Sequence, residues 1–176
     1  MASSGIHANG LSLARKLVER LPQGYLTEID PIGEPGLTYG EALLAPTTLY
    51  SPVTEALWQA GIVPHYSANI TGHGWRKLLR HPAALTYRIH TVPPVPPVLR
   101  FIQQQAQQDD REAYGTLNMG AGFALFVKAE DAARVVEIAQ GLGVHAWHAG
   151  TVEAGPKQVL IEPLGITFGQ DDLQLR

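Results

Sequence analysis

Phe123-Ala124-Leu125-Phe126-Val127-Lys128-Ala129-Glu130-Asp131-Ala132-Ala133-Arg134-Val135-Val136-Glu137-Ile138-Ala139-Gln140-Gly141-Leu142-Gly143 contains two elements back to back. The first five residues are a short apolar run, the signature of a buried strand, and Lys128 breaks it. From Glu130 to Leu142 the apolar positions recur at helical spacing, and Gly143 closes the helix. Other segments repeat the combination. Thr86 to Val92 alternates in strand fashion, and Pro93-Pro94-Val95-Pro96-Pro97 ends it. The helix expected from Val98 to Gln108 is Gln-rich, with a solvated outer face. Ile62 to Ile70 reads as extended, Trp75 to Leu79 as a short helix, and Val144 to Val152 with Gln158 to Ile161 as the last two strands. Strands interleaved with crossover helices imply an α/β (α+β) fold, one mixed sheet covered by helices.

Upstream, Leu11 to Leu21 forms an amphipathic helix ended by Pro22 and Gly24, and Tyr25 to Tyr39 is a surface connection with four Gly or Pro residues. Helical pattern returns over Thr38 to Leu44. Another helix follows with Ser51 as cap and Pro52 in its first turn. Before all of these lie Ser3, Ser4, Gly5, His7, Asn9 and Gly10, hydroxyls and permissive backbone running into a helix start. Helix N-termini carry N–H groups without intrahelical partners, so this loop is the strongest candidate for binding phosphate. The plainer alternative is an ordinary N-cap by Asn9. A functional loop with no strand before it to fix its position suggests that an upstream portion is missing.

With 176 residues, 45% of them apolar, the chain suits one domain with a substantial core. A net charge of −3 with scattered Lys and Arg disfavours nucleic acid as a partner. The absence of cysteine removes disulfides, thiolate catalysis and Cys-ligated metals. No stretch approaches the roughly 18 apolar residues of a membrane span, so no membrane partner and a cytoplasmic location are expected. Thr71, Gly72 and His73, with Gly74, form a second candidate nest or a simple turn. Asn118, with Gly120 and Gly122, precedes the apolar strand where ligands often sit, although a bulge explains it equally well. His145 and His148 fall on opposite faces of the expected strand, so no metal site is assigned. Trp58, Trp75 and Trp147 read as core or edge residues. No Gly-x-Ser-x-Gly elbow, Walker loop or Gly-x-Gly-x-x-Gly fingerprint is present.

Four ordered stretches resemble one family: Ser3-Ser4-Gly5-Ile6-His7-Ala8-Asn9-Gly10-Leu11-Ser12-Leu13-Ala14-Arg15-Lys16, Leu43-Leu44-Ala45-Pro46-Thr47, Asn69-Ile70-Thr71-Gly72-His73-Gly74 and Thr116-Leu117-Asn118-Met119-Gly120-Ala121-Gly122. Ala146-Trp147-His148-Ala149-Gly150 extends the likeness. The family is aminoimidazole ribonucleotide synthetase, or phosphoribosylformylglycinamidine cyclo-ligase. The resemblance covers residues 1–162 as its C-terminal domain, of partial likeness to a ferredoxin-like arrangement, and leaves 163–176 as a tail of uncertain order. It implies an absent N-terminal domain that binds ATP and magnesium and forms a homodimer. It further implies a ligase reaction of purine biosynthesis, in which ATP activates the formyl oxygen of formylglycinamidine ribonucleotide and a nitrogen then attacks to close the ring. The C-terminal domain's implied share is to hold the ribose phosphate through the Ser-Gly-x-His-x-Asn-Gly loop. Alone, the chain is expected to carry neither cofactor nor activity.

Two departures stand out. The family usually has Pro-Thr-Arg-Ile-Tyr-Val-Lys where this chain has Pro46-Thr47-Thr48-Leu49-Tyr50-Ser51-Pro52, losing a guanidinium and an ammonium. Its usual Thr-Gly-Gly-Gly is here Thr71-Gly72-His73-Gly74. These changes leave open a divergent relative that activates another phosphorylated substrate, or a non-catalytic module that binds one.

Overall fold

The computed structural model describes residues 1–7, 10–30 and 33–173. Asn9, and with it the expected N-cap, lies outside these residues. In chain order the elements are α1 (Leu11–Val18), α2 (Tyr39–Leu43), α3 (Ser51–Gln59), β1 (Tyr66–Asn69), β2 (Leu85–Ile89), α4 (Pro97–Gln105), α5 (Asp110–Thr116), β3 (Phe123–Phe126), α6 (Ala132–Gly141), β4 (Gly150–Ala154), β5 (Gln158–Ile161) and β6 (Ile166–Gly169).

The strands form two sheets where the sequence suggests one. β1 and β3 make an antiparallel pair, and the other four run β4-β2-β5-β6. In the larger sheet β2 is antiparallel to β4 and parallel to β5, while β6 is antiparallel to β5. The sheet is therefore mixed, as the strand and helix alternation implies. Its parallel pair is joined by a long crossover containing α4, α5, β3, α6 and β4.

One core unites most of the helices with both sheets, and its largest fully buried side chains include Trp75, Tyr39, Tyr87 and Phe168. A smaller cluster joins Val53 and Leu57 of α3 to Val135 and Ala139 of α6, with Ile62 and Ala146. Tyr39 packs on Phe101 with ring centroids 5.1 Å apart and donates its hydroxyl to the Ala14 carbonyl, tying α1, α2 and α4 together. The Thr38 and Glu41 side chains form a reciprocal capping box that starts α2.

Several expectations shift. α1 stops at Val18, three residues early, because in a continued helix the Pro22 ring would meet the Val18 carbonyl. Ser51 is the first residue of α3, and Tyr50 is its cap. The Gln-rich face of α4 is not wholly solvated: Gln103 is buried and donates to the Asp110 carboxylate at 2.7 Å. Helix α5 was concealed in sequence by its polar start, although Asp109 and Glu112 form a second capping box. β3 is half-buried rather than buried, since it pairs with β1 alone. The strand expected from Val144 begins only at Gly150, where a side chain would strike the Arg88 carbonyl of β2. Trp58 is exposed on α3. The weakly patterned segment after Pro163 contains β6, with Ile166 and Phe168 in the core.

Candidate functional site

Asn118 organises the site. It is 3% exposed, and each polar atom of its side chain has a partner. Oδ1 accepts from the Ser3 hydroxyl at 2.8 Å and from the Gly120 amide at 3.0 Å, and Nδ2 donates to the Gly5 carbonyl at 2.8 Å. Its own carbonyl accepts from the Trp75 indole at 3.0 Å. A buried amide with all its groups matched in this way fixes the backbone around it. Here it locks the residue 3–7 loop to the Asn118–Gly122 loop. Backbone pairing reinforces the lock: Ser3 N–H donates to the Gly120 carbonyl and Gly122 N–H to the Met1 carbonyl.

On this platform Ser4 is exposed. Its hydroxyl donates to the Pro46 carbonyl at 2.5 Å and lies 3.1 Å from His7 Nε2. The Ser4 amide donates to the same nitrogen at 3.0 Å. His7 Nε2 is therefore an acceptor, which places the proton of the neutral ring on Nδ1. Burial holds the His7 imidazole below its usual range and favours that neutral form. His7 has φ +57°, a left-handed conformation uncommon outside glycine. The loop then enters α1 through Gly10, which supplies no side-chain cap. Among the described residues no side chain caps the first turn of α1, where peptide N–H groups lack intrahelical partners.

Tyr50 is a site residue that the sequence reading did not single out. Its hydroxyl donates to the Ala2 carbonyl at 2.6 Å, its ring stacks on Phe123 at 5.1 Å, and the His7 ring lies 6.3 Å away. Burial pushes its phenol up to about 12, so it stays a neutral donor. Gly122 makes this arrangement possible, since a Cβ there would fall 1.9 Å from the Tyr50 hydroxyl and 2.9 Å from the His7 ring. The available signal was the position of Tyr50 beside Pro46, in a stretch already matched to a family pattern.

The structure thus brings together Ser3, Ser4, Gly5, His7, Gly10 and Asn118, although Asn118 works as a tether with its polar atoms engaged. Thr71, Gly72 and His73 form a turn closed by the Gly74 amide on the Thr71 carbonyl. That turn adjoins the platform through Trp75 and through the Ile70 amide, which donates to the Gly122 carbonyl. Gly74 is required there by packing: a Cβ would lie 2.1 Å from the Tyr114 carbonyl. His145 stacks on Trp147, and among the described residues no three His, Cys, Asp or Glu side chains converge on a possible metal position.

Residues 1–162 match the family model described as AIR synthase related protein, C-terminal domain. The chain is 38% identical to a phosphoribosylformylglycinamidine cyclo-ligase of Methanococcus maripaludis over 154 residues, which are 87% of this chain and 43% of the relative. Against the same-named protein of Methanocaldococcus jannaschii it is 39% identical over 86% of this chain and 43% of the relative. For that of Alkaliphilus metalliredigens the identity is 36% over 92% and 46%. The chain spans less than half the length of these curated relatives.

Proposed function

This chain belongs to the AIR synthase related proteins, matching their C-terminal domain, and from that premise we propose that it is the substrate-phosphate-binding half of an ATP-dependent cyclo-ligase. The reaction is the conversion of formylglycinamidine ribonucleotide to aminoimidazole ribonucleotide, in the cytoplasm. The observation that carries the reading is the loop of Ser3, Ser4, Gly5 and His7, held rigid by Asn118 and leading toward the start of α1. Backbone and hydroxyl donors fixed beforehand bind a phosphate without the cost of ordering a loop. Neutral His7, with its proton on Nδ1, serves as one more donor, and Ser4 turns its hydroxyl from Pro46 to the ligand.

The described residues offer no convergent donor set for magnesium. In this proposal ATP, magnesium and the homodimer contacts belong to the remainder of a protein of the relatives' length. When bound there, ATP supplies the phosphoryl group that makes the formyl oxygen a leaving group. This chain's residues hold the ribose phosphate and orient the substrate.

The test is ribonucleotide binding by calorimetry, with the chain as it stands and within a protein carrying an N-terminal domain. His7→Ala is expected to weaken formylglycinamidine ribonucleotide about tenfold, the equivalent of one charge-assisted hydrogen bond, with a stability change below about 1 kcal/mol. Unchanged affinity refutes the loop's role. A large stability loss assigns His7 to structure. Thr48 and Pro52, which stand where the family usually has Arg and Lys, favour a second reading: a divergent member acting on another phosphorylated substrate. Ribonucleotide binding without ring closure by the two-domain protein separates this reading from the first.

A further inference from the structure

Residues 74–76 are packed along the backbone of residues 114–118, the stretch that ends α5 and begins the Asn118 platform. A Cβ on Gly74 would fall 2.1 Å from the Tyr114 carbonyl oxygen and 2.9 Å from that of Leu117. Trp75 donates its indole N–H to the Asn118 carbonyl at 3.0 Å. Arg76 donates from Nε to the Gly115 carbonyl at 2.8 Å and, at 3.4 Å, to the carbonyl of His73. Gly115 is buried in the last turn of α5, where carbonyls have no intrahelical partner. A guanidinium there satisfies one such carbonyl and suits the negative end of the helix.

The other edge of the Arg76 guanidinium meets the turn that follows β6. Its Nη1 donates to the Asp172 carbonyl at 2.8 Å. The Asp172 carboxylate shapes that turn by accepting from the Gly169 amide at 2.7 Å, and it also accepts from Arg111 Nη2 at 3.0 and 3.1 Å. Arg111 belongs to the first turn of α5, donates to the Thr167 carbonyl as well, and lies 4.9 Å from the centre of the Phe168 ring. Asp172 therefore fixes α5 at both ends, through its side chain to Arg111 and through its carbonyl to Arg76. Leu173 packs against the main core beside it. The Arg111 ion pair is half-exposed and open to screening, so the Arg76 bridge carries the greater share of the constraint. The turn lies beyond residues 1–162, the part that matches the family model.

We infer that Arg76 is a positioning residue for the phosphate-binding loop, and that the Gly169–Leu173 turn is the clasp that holds it in place. The inference rests on the reading of residues 3–7 as that loop. The route is short. Asp172 fixes Arg76, Arg76 and Trp75 fix residues 115–118, and the Asn118 side chain fixes Ser3 and Gly5. Ligand affinity then depends on residues that touch no ligand, because a platform that must be reordered on binding lowers affinity by that cost. The bridge also demands arginine. Its donors on Nε and Nη1 lie in one plane and reach two carbonyls at once, a geometry that a lysine ammonium on its flexible stem does not hold.

The experiment is a double-mutant cycle on formylglycinamidine ribonucleotide affinity, measured by calorimetry on the 176-residue chain. Its arms are Arg76→Lys and a chain ending at Gly169. Each is expected to weaken binding about fivefold. Combined, they are expected to do no more than the stronger of the two, since both break one bridge. Amide hydrogen exchange by NMR at Gly120, whose N–H is held by Asn118, is expected to quicken about tenfold in all three variants. Arg88→Gln, which breaks a network with Glu153 and Glu162, controls for general destabilisation and is expected to leave both readouts unchanged. If the shortened chain fails to fold, Asp172→Ala takes its place with the same expectations. Unchanged affinity in Arg76→Lys, an additive cycle or unchanged Gly120 exchange overturns the proposal, as does an equal effect of Arg88→Gln. If the unaltered chain itself fails to bind the ribonucleotide, the functional reading falls, and Gly120 exchange alone decides the clasp: quickening supports it and its absence overturns it.

Discussion

Replacing Asn118 by Ala removes its short hydrogen bonds to Ser3, Gly5 and Gly120 and a longer one to the Ile6 carbonyl. The loss is unequal. Ser3 is half-exposed and rehydrates, whereas Gly5 is buried and the Gly120 amide lies within the buried loop, so a carbonyl and an N–H lose their partners away from water. Each buried unsatisfied group costs about 1–3 kcal/mol, which sets the expected destabilisation at about 4 kcal/mol. With a urea slope of about 2 kcal/mol/M, the midpoint falls by about 2 M. Urea unfolding followed through Trp75 fluorescence reads this directly, because that indole bonds to the Asn118 carbonyl. Asn118→Asp keeps acceptors for Ser3 and Gly120 but sets a carboxylate oxygen against the Gly5 carbonyl, and it is expected to be no milder. A loss below about 1 kcal/mol for Asn118→Ala refutes the tether. Preserved stability with lost ribonucleotide binding would make Asn118 a ligand contact instead.

The Met1 amino group is pulled down to about 5 by burial, from 8.0. A base with a depressed folded-state value confers its full stability above pH 8 and loses it as pH falls toward 5, by at most about 4 kcal/mol. Acetylating the amine abolishes that loss, and urea midpoints at pH 8.5 and 5.5 on both forms check it. His7 acts in the same direction below its ordinary value, so the difference between the two forms is the decisive quantity. Gly74→Ala drives a Cβ into the Tyr114 carbonyl and is expected to prevent folding. Gly36→Ala, also at positive φ but in open space, should cost about 1 kcal/mol, and comparing soluble yield and thermal midpoint distinguishes them. Phe168→Ala on β6 empties a fully buried site and should cost about 3–5 kcal/mol in urea unfolding. A surface-like cost below about 0.5 kcal/mol would show that β6 adds nothing to the core.

Local chemistry made much of this protein legible in one dimension. The Phe123–Val127 run, the amphipathic pattern of α6 and the helical pattern over Thr38 to Leu44 are short-range signals, each carried by residues within a few positions of one another. So was the loop of Ser3, Ser4, Gly5 and His7, whose small and hydroxylated residues stand next to a helix start. Family membership was legible because its motifs occur in order along the chain. What the sequence concealed depends on partners far away. β6 lacks strong local pattern and is a strand because β5 supplies its hydrogen bonds. Gln103 is buried because Asp110 receives it. Asn118 ties two loops together because Ser3 and Gly5, more than a hundred residues away, engage its amide. The division into two sheets was invisible for the same reason. Strand character follows from side chains, but pairing depends on which edge the folded chain brings within hydrogen-bonding distance.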